Sequence, residues 1–519
     1  MLAGLCALLV AMTLSARPAP AAAAAPVGWL TTSGSKILTG TGQPYTIKAV
    51  SWFGLETSNC APHGLWQISL DAGLAQIASF GFNTIRLPFS NECLAASAPN
   101  SIRYDLNPDL VGKTPLQVMD AVVAKARAHG LSVILDRHRP DSGAQSALWY
   151  TAQYSEARWI DDWTMLAKRY RADPTVIGVD LHNEPHGNAC WGCGAPERDW
   201  AAAATRAGNA VLAVNPKLLV VVEGVEAQAK GGSTWWGGGL ADVAAHPVRL
   251  AVANRVVYSP HDYPSSIYAQ SWFTAPDYPA NLPAVWTRSW GYLQQQGIAP
   301  VLLGEFGTTL RTTSDQQWLA ALVSYLRTNQ MSFAYWSFNP NSGDTGGLVA
   351  DDWVTPQRAK LDALRPILGP GGATPPPSPT TPSPTTPSPT TPAPSPTPSP
   401  STPRPTPTPS PSSPSPTPTT SAGGLRAGWR VTSEWPGGYV AELTVTAERA
   451  RSGWTVRWAD PAASGVVNAW GMTCAAANGS VTCRGAGWAA EVPAGRSVTV
   501  GLQVQTTGAA PRSPRLTLG

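Results

Sequence analysis

The chain has 519 residues, with 36 Lys and Arg against 32 Asp and Glu, a net charge of +4 and 22 tryptophans. That length accommodates two or more domains, and the weakly basic balance, with its cations scattered along the chain, gives no sign of a nucleic-acid surface. Much of the tryptophan lies in polar, glycine-rich context, where a large apolar side chain is costly unless it meets a ligand.

Residues 1–25 read as an export signal: "LAGLCALLVAMTL" is apolar and "SARPAPAAAAAP" follows with small residues suited to cleavage, although no charged segment precedes them. The apolar run of about 13 residues is too short for the alternative, a membrane anchor. Cys6 leaves with the signal.

From residue 27 to 369 short apolar runs alternate with longer amphipathic stretches. The runs are "NTIRLPF", "LSVILDRH", "VIGVDLHNE", "LLVVVEG", "NRVVYSPHDY", "PVLLGEFG" and "FAYWSFNP". Each is rich in β-branched residues and nearly free of charge, as expected of a parallel strand buried on both faces. Between them "SLDAGLAQIASFG", "LQVMDAVVAKARAHG" and "SDQQWLAALVSYLRT" carry a helical period, and several of these stretches end on glycine. Strand–helix alternation on this scale predicts an α/β fold, a (β/α)8 TIM barrel. The alternative is a doubly wound open sheet, but no G-x-G-x-x-G follows the first run.

Residues 370–424 are almost wholly Pro, Ser, Thr, Gly and Ala with repeating "TTPSP" units. Such a segment has no apolar face to bury and reads as a linker held extended by proline. Residues 425–519 carry alternating runs, "YVAELTVTAE", "GWTVRWAD", "GSVTCRG" and "SVTVGLQVQTT", separated by Gly, Pro and Asn turns, and predict a small all-β sandwich domain. In it Trp429, Trp454 and Trp458 lie inside alternating strands and are expected in the core. Trp435, Trp470 and Trp488 lie in turn-like context, where exposed rings would stack on the apolar faces of sugars.

Six cysteines remain after export, an even number in an exported chain, and read as disulfides. Six cysteines allow about 15 pairings; the local set, Cys60 with Cys93, Cys190 with Cys193 and Cys474 with Cys483, is the one expected. Cys190-Trp-Gly-Cys193 has no second C-x-x-C to complete a zinc site.

The polar residues of the large domain fall at the C-terminal ends of the runs: Arg86, His138, Asn183 with Glu184, Glu223, His261 with Tyr263, Glu305 and Trp336. A single such residue is most simply a paired strand end. In a barrel these ends converge on one face, where active sites sit, and seven runs ending this way point to a site. Two glutamates in one cleft suggest a general acid and a nucleophile for glycoside hydrolysis. Asn183 is placed to bond a sugar 2-hydroxyl, His261 and Tyr263 to contact the glutamates, Arg86 to act as the charge partner of Glu305, and Trp336 to offer a flat face to a ring. His182 and His186 bracket Glu184 at a spacing known from zinc helices, but Pro185 and the strand before it argue against a helix, so no metal and no cofactor is expected.

The motifs "TIRLPFS", "ILDRHRP", "DLHNEPHG", "YSPHDY", "LGEFGTT" and "YWSFNP", in that order, resemble glycoside hydrolase family 5, and within it the bacterial endo-β-1,4-glucanases. "WFGLETSNCAPHGLW", "ALWYTAQYSEARWI" and "ACWGCG" are similar to that group as well, so that the resemblance spans nearly all of residues 28–365. It implies a retaining mechanism in which Glu184, in Asn-Glu-Pro, is the acid/base and Glu305, in Gly-Glu-Phe-Gly, the nucleophile, with carboxylates about 5–5.5 Å apart. Arg86, His138, Asn183, His261, Tyr263 and Trp336 match the family's other active-site positions. His63, Trp66, Trp235, Trp236 and Asp344 lie in loop motifs expected to bind substrate, with Trp235 and Trp236 as a sugar platform in "GGSTWWGGGL". Residues 425–518 resemble a family 2 carbohydrate-binding module without its usual terminal cysteine pair, which implies that Trp435, Trp470 and Trp488 bind cellulose.

The expectation is therefore a secreted, extracellular endo-β-1,4-glucanase, a monomer without nucleic-acid partners and free of membrane once the signal is cleaved, acting on cellulose and soluble β-1,4-glucans. Two other readings stand beside it: a catalytically silent glucan-binding protein, and the same enzyme acting on mannan or xyloglucan.

Overall fold

The structure, a computed structural model, describes residues 26–369, 419–420, 424–435, 437–486 and 489–519. It divides into two units, residues 1–381 and 382–519. The expected signal at 1–25 and nearly all of the expected linker lie outside the described residues. Trp488 does too, as do the side chains of Trp435 and Trp470.

In the first unit eight parallel strands run in chain order around a barrel: β1 (Lys48–Ser51), β2 (Thr84–Ser90), β3 (Ser132–Arg139), β4 (Val176–Asp180), β5 (Leu219–Glu223), β6 (Val256–Ser259), β7 (Leu302–Leu303) and β8 (Ser332–Tyr335). Each pairs with its neighbours, and β8 pairs with β1. Only β6 and β7 lack a continuous ladder, and parallel bridges Tyr258 with Val301 and His261 with Glu305 close the gap. The expected barrel is thus what the chain forms. Strand β1 was not among the expected runs: it has only four residues and opens on Lys48, whose Nζ donates to the Leu368 carbonyl at 2.7 Å.

Helices α1 (Leu70–Ser79), α2 (Pro115–Ala128), α3 (Glu156–Arg169), α4 (Trp200–Val214), α5 (Leu282–Trp286), α6 (Thr313–Thr328) and α7 (Arg358–Leu368) wrap the strands. Their starts are written locally. The Ser69, Ser155, Asp199 and Thr312 side chains accept from the first free backbone N–H groups, and Thr114 forms a full capping box with Gln117 ahead of Pro115. Between β5 and β6 no helix forms among the described residues. Residues 224–255 make a long loop, pinned by the short pairing of Ala227–Gln228 with Gly232–Ser233.

Alternation along the strands sorts the side chains. On β5, Leu219 and Val221 face the barrel interior with Ile134, Val257, Leu302 and Ala334, while Val220 and Val222 join the larger core under the helices. Leu30 and Ile37 of an N-terminal hairpin, Leu30–Ser33 with Lys36–Thr39, join the interior set and close the N-terminal end of the barrel. The interior is therefore filled at that end, and the site is left to the other.

The second unit has two larger antiparallel sheets, beside a two-stranded pairing of Arg451–Ser452 with Glu491–Val492. In one, Leu425–Trp435, Gly438–Ala447, Arg496–Thr506 and Ala463–Trp470 lie side by side; in the other, Met472–Ala477, Ser480–Gly485 and Thr455–Ala459 do. Trp429, Trp454 and Trp458 are buried among their apolar residues. Cysteines are joined as Cys60–Cys93, Cys190–Cys193 and Cys474–Cys483.

Candidate active site

The C-terminal ends of the strands bring Arg86, His138, Asn183, Glu184, His261, Tyr263, Glu305 and Trp336 into one constellation. Arg86 on β2 is fully buried and is its hub. Nη1 donates to Glu305 Oε1 at 2.6 Å, Nε to Asp180 Oδ2 at 3.0 Å, and Nη2 to Asn183 Oδ1 at 2.8 Å and Glu223 Oε1 at 3.0 Å. Asp136 Oδ2 stands 3.1 Å from Nη2. Burial works against the guanidinium charge, but Asp136, Asp180, Glu305 and Glu223 outweigh it and hold the group protonated.

Glu305, just beyond β7, receives Arg86 on one oxygen and the Tyr263 hydroxyl on the other, at 2.7 Å. Space dictates the glycines on either side of it. A Cβ at Gly304 would stand 2.2 Å from Ser259 Oγ, and one at Gly307 2.0 Å from the Trp336 carbonyl oxygen.

Glu184 sits at φ +54, a left-handed backbone that costs a non-glycine residue roughly 1–3 kcal/mol. Its Oε1 is 3.0 Å from His261 Nδ1. Burial alone would raise this carboxyl; the hydrogen bond and charge of His261 outweigh it and lower it. For His261 the balance is the reverse: burial opposes its charge, but Glu223, Glu305 and the bond to Glu184 raise it well above an ordinary imidazole. One oxygen of Glu184 and one of Glu305 lie within 4.8 Å of each other. The same distance relates His261, so these three could chelate an ion on geometry alone, but a buried imidazolium is a poor metal ligand.

Asn183 is buried beside them. Its Oδ1 is taken by Arg86, while its Nδ2 has no protein partner among the described residues. His138 Nδ1 is 2.7 Å from Asp136 Oδ2, and burial lowers this imidazole to about 4, so it is neutral at the site. Its ring stacks on Trp336 at 5.2 Å, and Phe53 stacks on Trp336 at 5.3 Å.

The residues expected in the cleft loops differ in placement. His63 is fixed by Thr57, Asn59 and Asn341, each at 3.0 Å, and packs beside Trp66. Asp344 is exposed and accepts from Ser342 Oγ, which itself accepts from Trp336 Nε1. Trp236 is 44% exposed and stacks on His186 with ring centroids 3.8 Å apart. Trp235 is only 7% exposed and packs on Trp272 and Phe273. This corrects the expectation of a paired platform, because Trp235 is occupied in holding the loop down.

Glu223 was expected at a strand end without a role of its own, and Asp136, Asp180 and Asp262 were not singled out in the sequence. Asp136, Asp180 and Glu223 ring Arg86, and Asp262 accepts from Trp318 Nε1 at 2.8 Å. A lone charge in an apolar run was the available signal: Asp136 is two residues before His138 and so shares its face of β3. Burial pushes Asp180 up to about 7 and Asp262 to about 8. For Asp262 the folded-state value lies above the unfolded one. Its contribution to stability is fully present below the unfolded pKa and is lost as pH rises through about 8. Asp262→Asn, which keeps an acceptor for Trp318, is accordingly expected to make the decline of Tm between about pH 5 and 8 shallower than in the parent chain. An unchanged slope in thermal melts across that range would show that Asp262 ionises normally.

Comparison with known proteins places these motifs. Residues 39–342 match the model of the cellulase family, glycosyl hydrolase family 5, and residues 425–519 that of the cellulose binding domain. The chain is 53% identical over 358 residues to an endoglucanase of Paenibacillus polymyxa, covering 68% of this chain and 90% of that one. It is 42% identical over 374 residues to the major extracellular endoglucanase of Xanthomonas campestris pv. campestris, covering 70% and 77%. Among solved structures, the hyperthermophilic endocellulase of Pyrococcus horikoshii superposes with a TM-score of 0.63 at 38% identity, over 66% of this chain and 99% of that one.

Proposed function

The chain belongs to glycosyl hydrolase family 5 as an endoglucanase that carries a cellulose-binding domain, and from that premise we propose that it is exported and hydrolyses internal β-1,4 bonds of cellulose by double displacement, with Glu305 as nucleophile and Glu184 as acid/base. Glu184 donates a proton to the glycosidic oxygen while the Glu305 carboxylate bonds to the anomeric carbon and the leaving chain departs. Glu184, now ionised, then takes a proton from water; the water oxygen attacks the same carbon and Glu305 is released.

The observation that carries this reading is the separation of the two carboxyl groups. One oxygen of each within 4.8 Å of the other favours the roughly 5–5.5 Å carboxyl spacing of retaining enzymes over the roughly 6.5–9.5 Å that leaves room for an intervening water. The supporting groups fit the same course. Arg86 and Tyr263 orient both oxygens of Glu305, the free Asn183 Nδ2 faces a donor's task, and the His138–Trp336–Phe53 stack supplies a flat wall for a ring. Trp236 offers a further face, and Trp435, Trp470 and Trp488 are assigned to the polymer surface in the second unit.

Two measurements test it. Proton NMR of the first product formed from a soluble cello-oligosaccharide is expected to show the β anomer; initial release of the α anomer would sink the retaining mechanism. Reducing ends are expected from carboxymethylcellulose in large excess over β-mannan; release mainly from mannan would keep the mechanism and overturn the substrate.

A further inference from the structure

Glu223 closes strand β5 and takes no part in the steps above, yet it touches Glu184, which does, and Arg86 and His261, which lie against the two reacting carboxyls. Its fully buried side chain accepts from Arg86 Nη2 at 3.0 Å through Oε1. Its Oε2 accepts the backbone N–H of Glu184 at 2.7 Å and lies 3.3 Å from His261 Nε2. His261 Nδ1 in turn stands 3.0 Å from Glu184 Oε1. One carboxylate therefore holds Glu184 directly at its main chain, and its charge lies against the far side of the imidazole that faces Glu184.

The direct contact falls on the residue whose backbone is left-handed, and such a conformation persists only when its surroundings over-determine it. The contact is also covered. A Cβ at Gly237 would stand 2.7 Å from Glu223 Oε2 and 3.2 Å from Glu184 Cα, so the bare glycine backbone lies directly against it. Gly237 is itself tied down, its carbonyl accepting from Gly224 N–H at 2.9 Å and its N–H donating to the Pro185 carbonyl at 3.4 Å. The glycines of "TWWGGG" thus seat the loop on the Glu184–Glu223 contact. The charged groups around Glu223 are Arg86 and His261, which favour its ionised form, and Asp136, Asp180 and Glu184, which oppose it.

Resting on the assignment of Glu184 as acid/base, we propose that Glu223 is a positioning residue for that group: its carboxylate fixes the turn that aims Glu184 and keeps a hydrogen on His261 Nε2, which leaves Nδ1 as the atom that exchanges a proton with Glu184. In glycosylation the proton passes from Glu184 to the leaving oxygen; in deglycosylation Glu184 regains one from water. Glu223 itself neither gains nor loses a proton over the cycle. A surplus of buried carboxylate around one arginine is poor material for stability alone; burial pushes Glu223 up to about 8, and it is His261 and Arg86 that work against this and favour the carboxylate.

The test compares Glu223→Gln, Glu223→Ala and Glu184→Ala on phenyl β-cellobioside, whose leaving group needs a proton, and on 2,4-dinitrophenyl β-cellobioside, whose leaving group departs without one. For Glu223→Ala, kcat/KM is expected to fall about 100-fold on the phenyl substrate and less than about tenfold on the dinitrophenyl one, within the range that general acid catalysis supplies. Glu223→Gln, whose amide oxygen can still accept the Glu184 N–H, is expected to recover part of that loss and to melt no lower than the parent chain. Should Glu223→Ala fail to fold, Glu223→Gln decides by the same ratio. Equal losses on both substrates, or no loss on either, would overturn the proposal. A leaving-group split in Glu184→Ala without one in the Glu223 variants would overturn it alone; no split in Glu184→Ala would remove the acid/base assignment and this proposal with it.

Discussion

Glu305→Ala is expected to lower kcat on carboxymethylcellulose by about 10⁶-fold, the scale on which removal of a covalent nucleophile is felt, without unfolding the barrel. Both halves of that expectation follow from the contacts of Glu305. Arg86 binds one of its oxygens and Tyr263 the other, so the carboxylate is held by charge-assisted bonds in one orientation, and no neighbour is placed to replace it. Glu184, with an oxygen within 4.8 Å of one of Glu305, is engaged by His261. The fold should survive because Arg86 is left with Asp136, Asp180 and Glu223, which still outnumber it. Glu305→Asp is a sharper probe: it keeps the charge but withdraws the oxygens by about one methylene, and a displacement on the order of 1 Å costs about 100-fold. The covalent step has its own readout. A 2-deoxy-2-fluoro cellobioside with an activated leaving group should add one 2-deoxy-2-fluoro-cellobiosyl group to the peptide containing Glu305, seen by mass spectrometry, and add nothing to Glu305→Ala. An adduct on another residue, or near-parental activity in the alanine variant, would sink the nucleophile assignment.

What could be read from the sequence and what could not divide on physical lines. Glu184 and Glu305 were legible because each ends a strand-forming run within a distinctive motif, and around Glu305 the neighbours have local reasons: Gly304 and Gly307 leave room for Ser259 and for the Trp336 carbonyl. The barrel was legible because strands buried on both faces are apolar throughout, whereas β1, four residues opening on a lysine, carries too little of that pattern. The ring of Asp136, Asp180 and Glu223 about Arg86 was not legible. These residues come from three strands, and their convergence is a property of barrel closure rather than of any local pattern. Trp235 and Trp236 make the same point: they are adjacent and chemically identical, and they part because Trp272 and Phe273, from another loop, meet only the first.

The arginine at the centre of that ring carries the second large effect. Arg86→Leu is expected to destabilise the barrel by about 3–5 kcal/mol, the cost of leaving buried charge without its partner, and so to lower Tm by roughly 10 °C. The loss should depend on pH in a defined direction. Asp136 and Asp180 are already raised, by burial first and by their carboxylate neighbours, and Arg86 is the charge that limits the rise. Without it their folded-state values move further above the unfolded ones. A carboxyl of that kind contributes stability that is fully present below its unfolded pKa and is lost as pH rises through its folded one. The variant should therefore fall below the parent chain by least in mild acid and by more as pH passes neutrality. Arg86→Lys separates charge from geometry. A single ammonium can neutralise the ring, and should restore much of the Tm, but it cannot reach Glu305, Asn183, Asp180 and Glu223 together as the forked guanidinium does. Activity should stay low in Arg86→Lys while stability returns. If instead Arg86→Leu melted at the parent temperature across the pH range, the ring would have to be held neutral by its own protons, and Arg86 would serve only to aim Glu305 and Asn183.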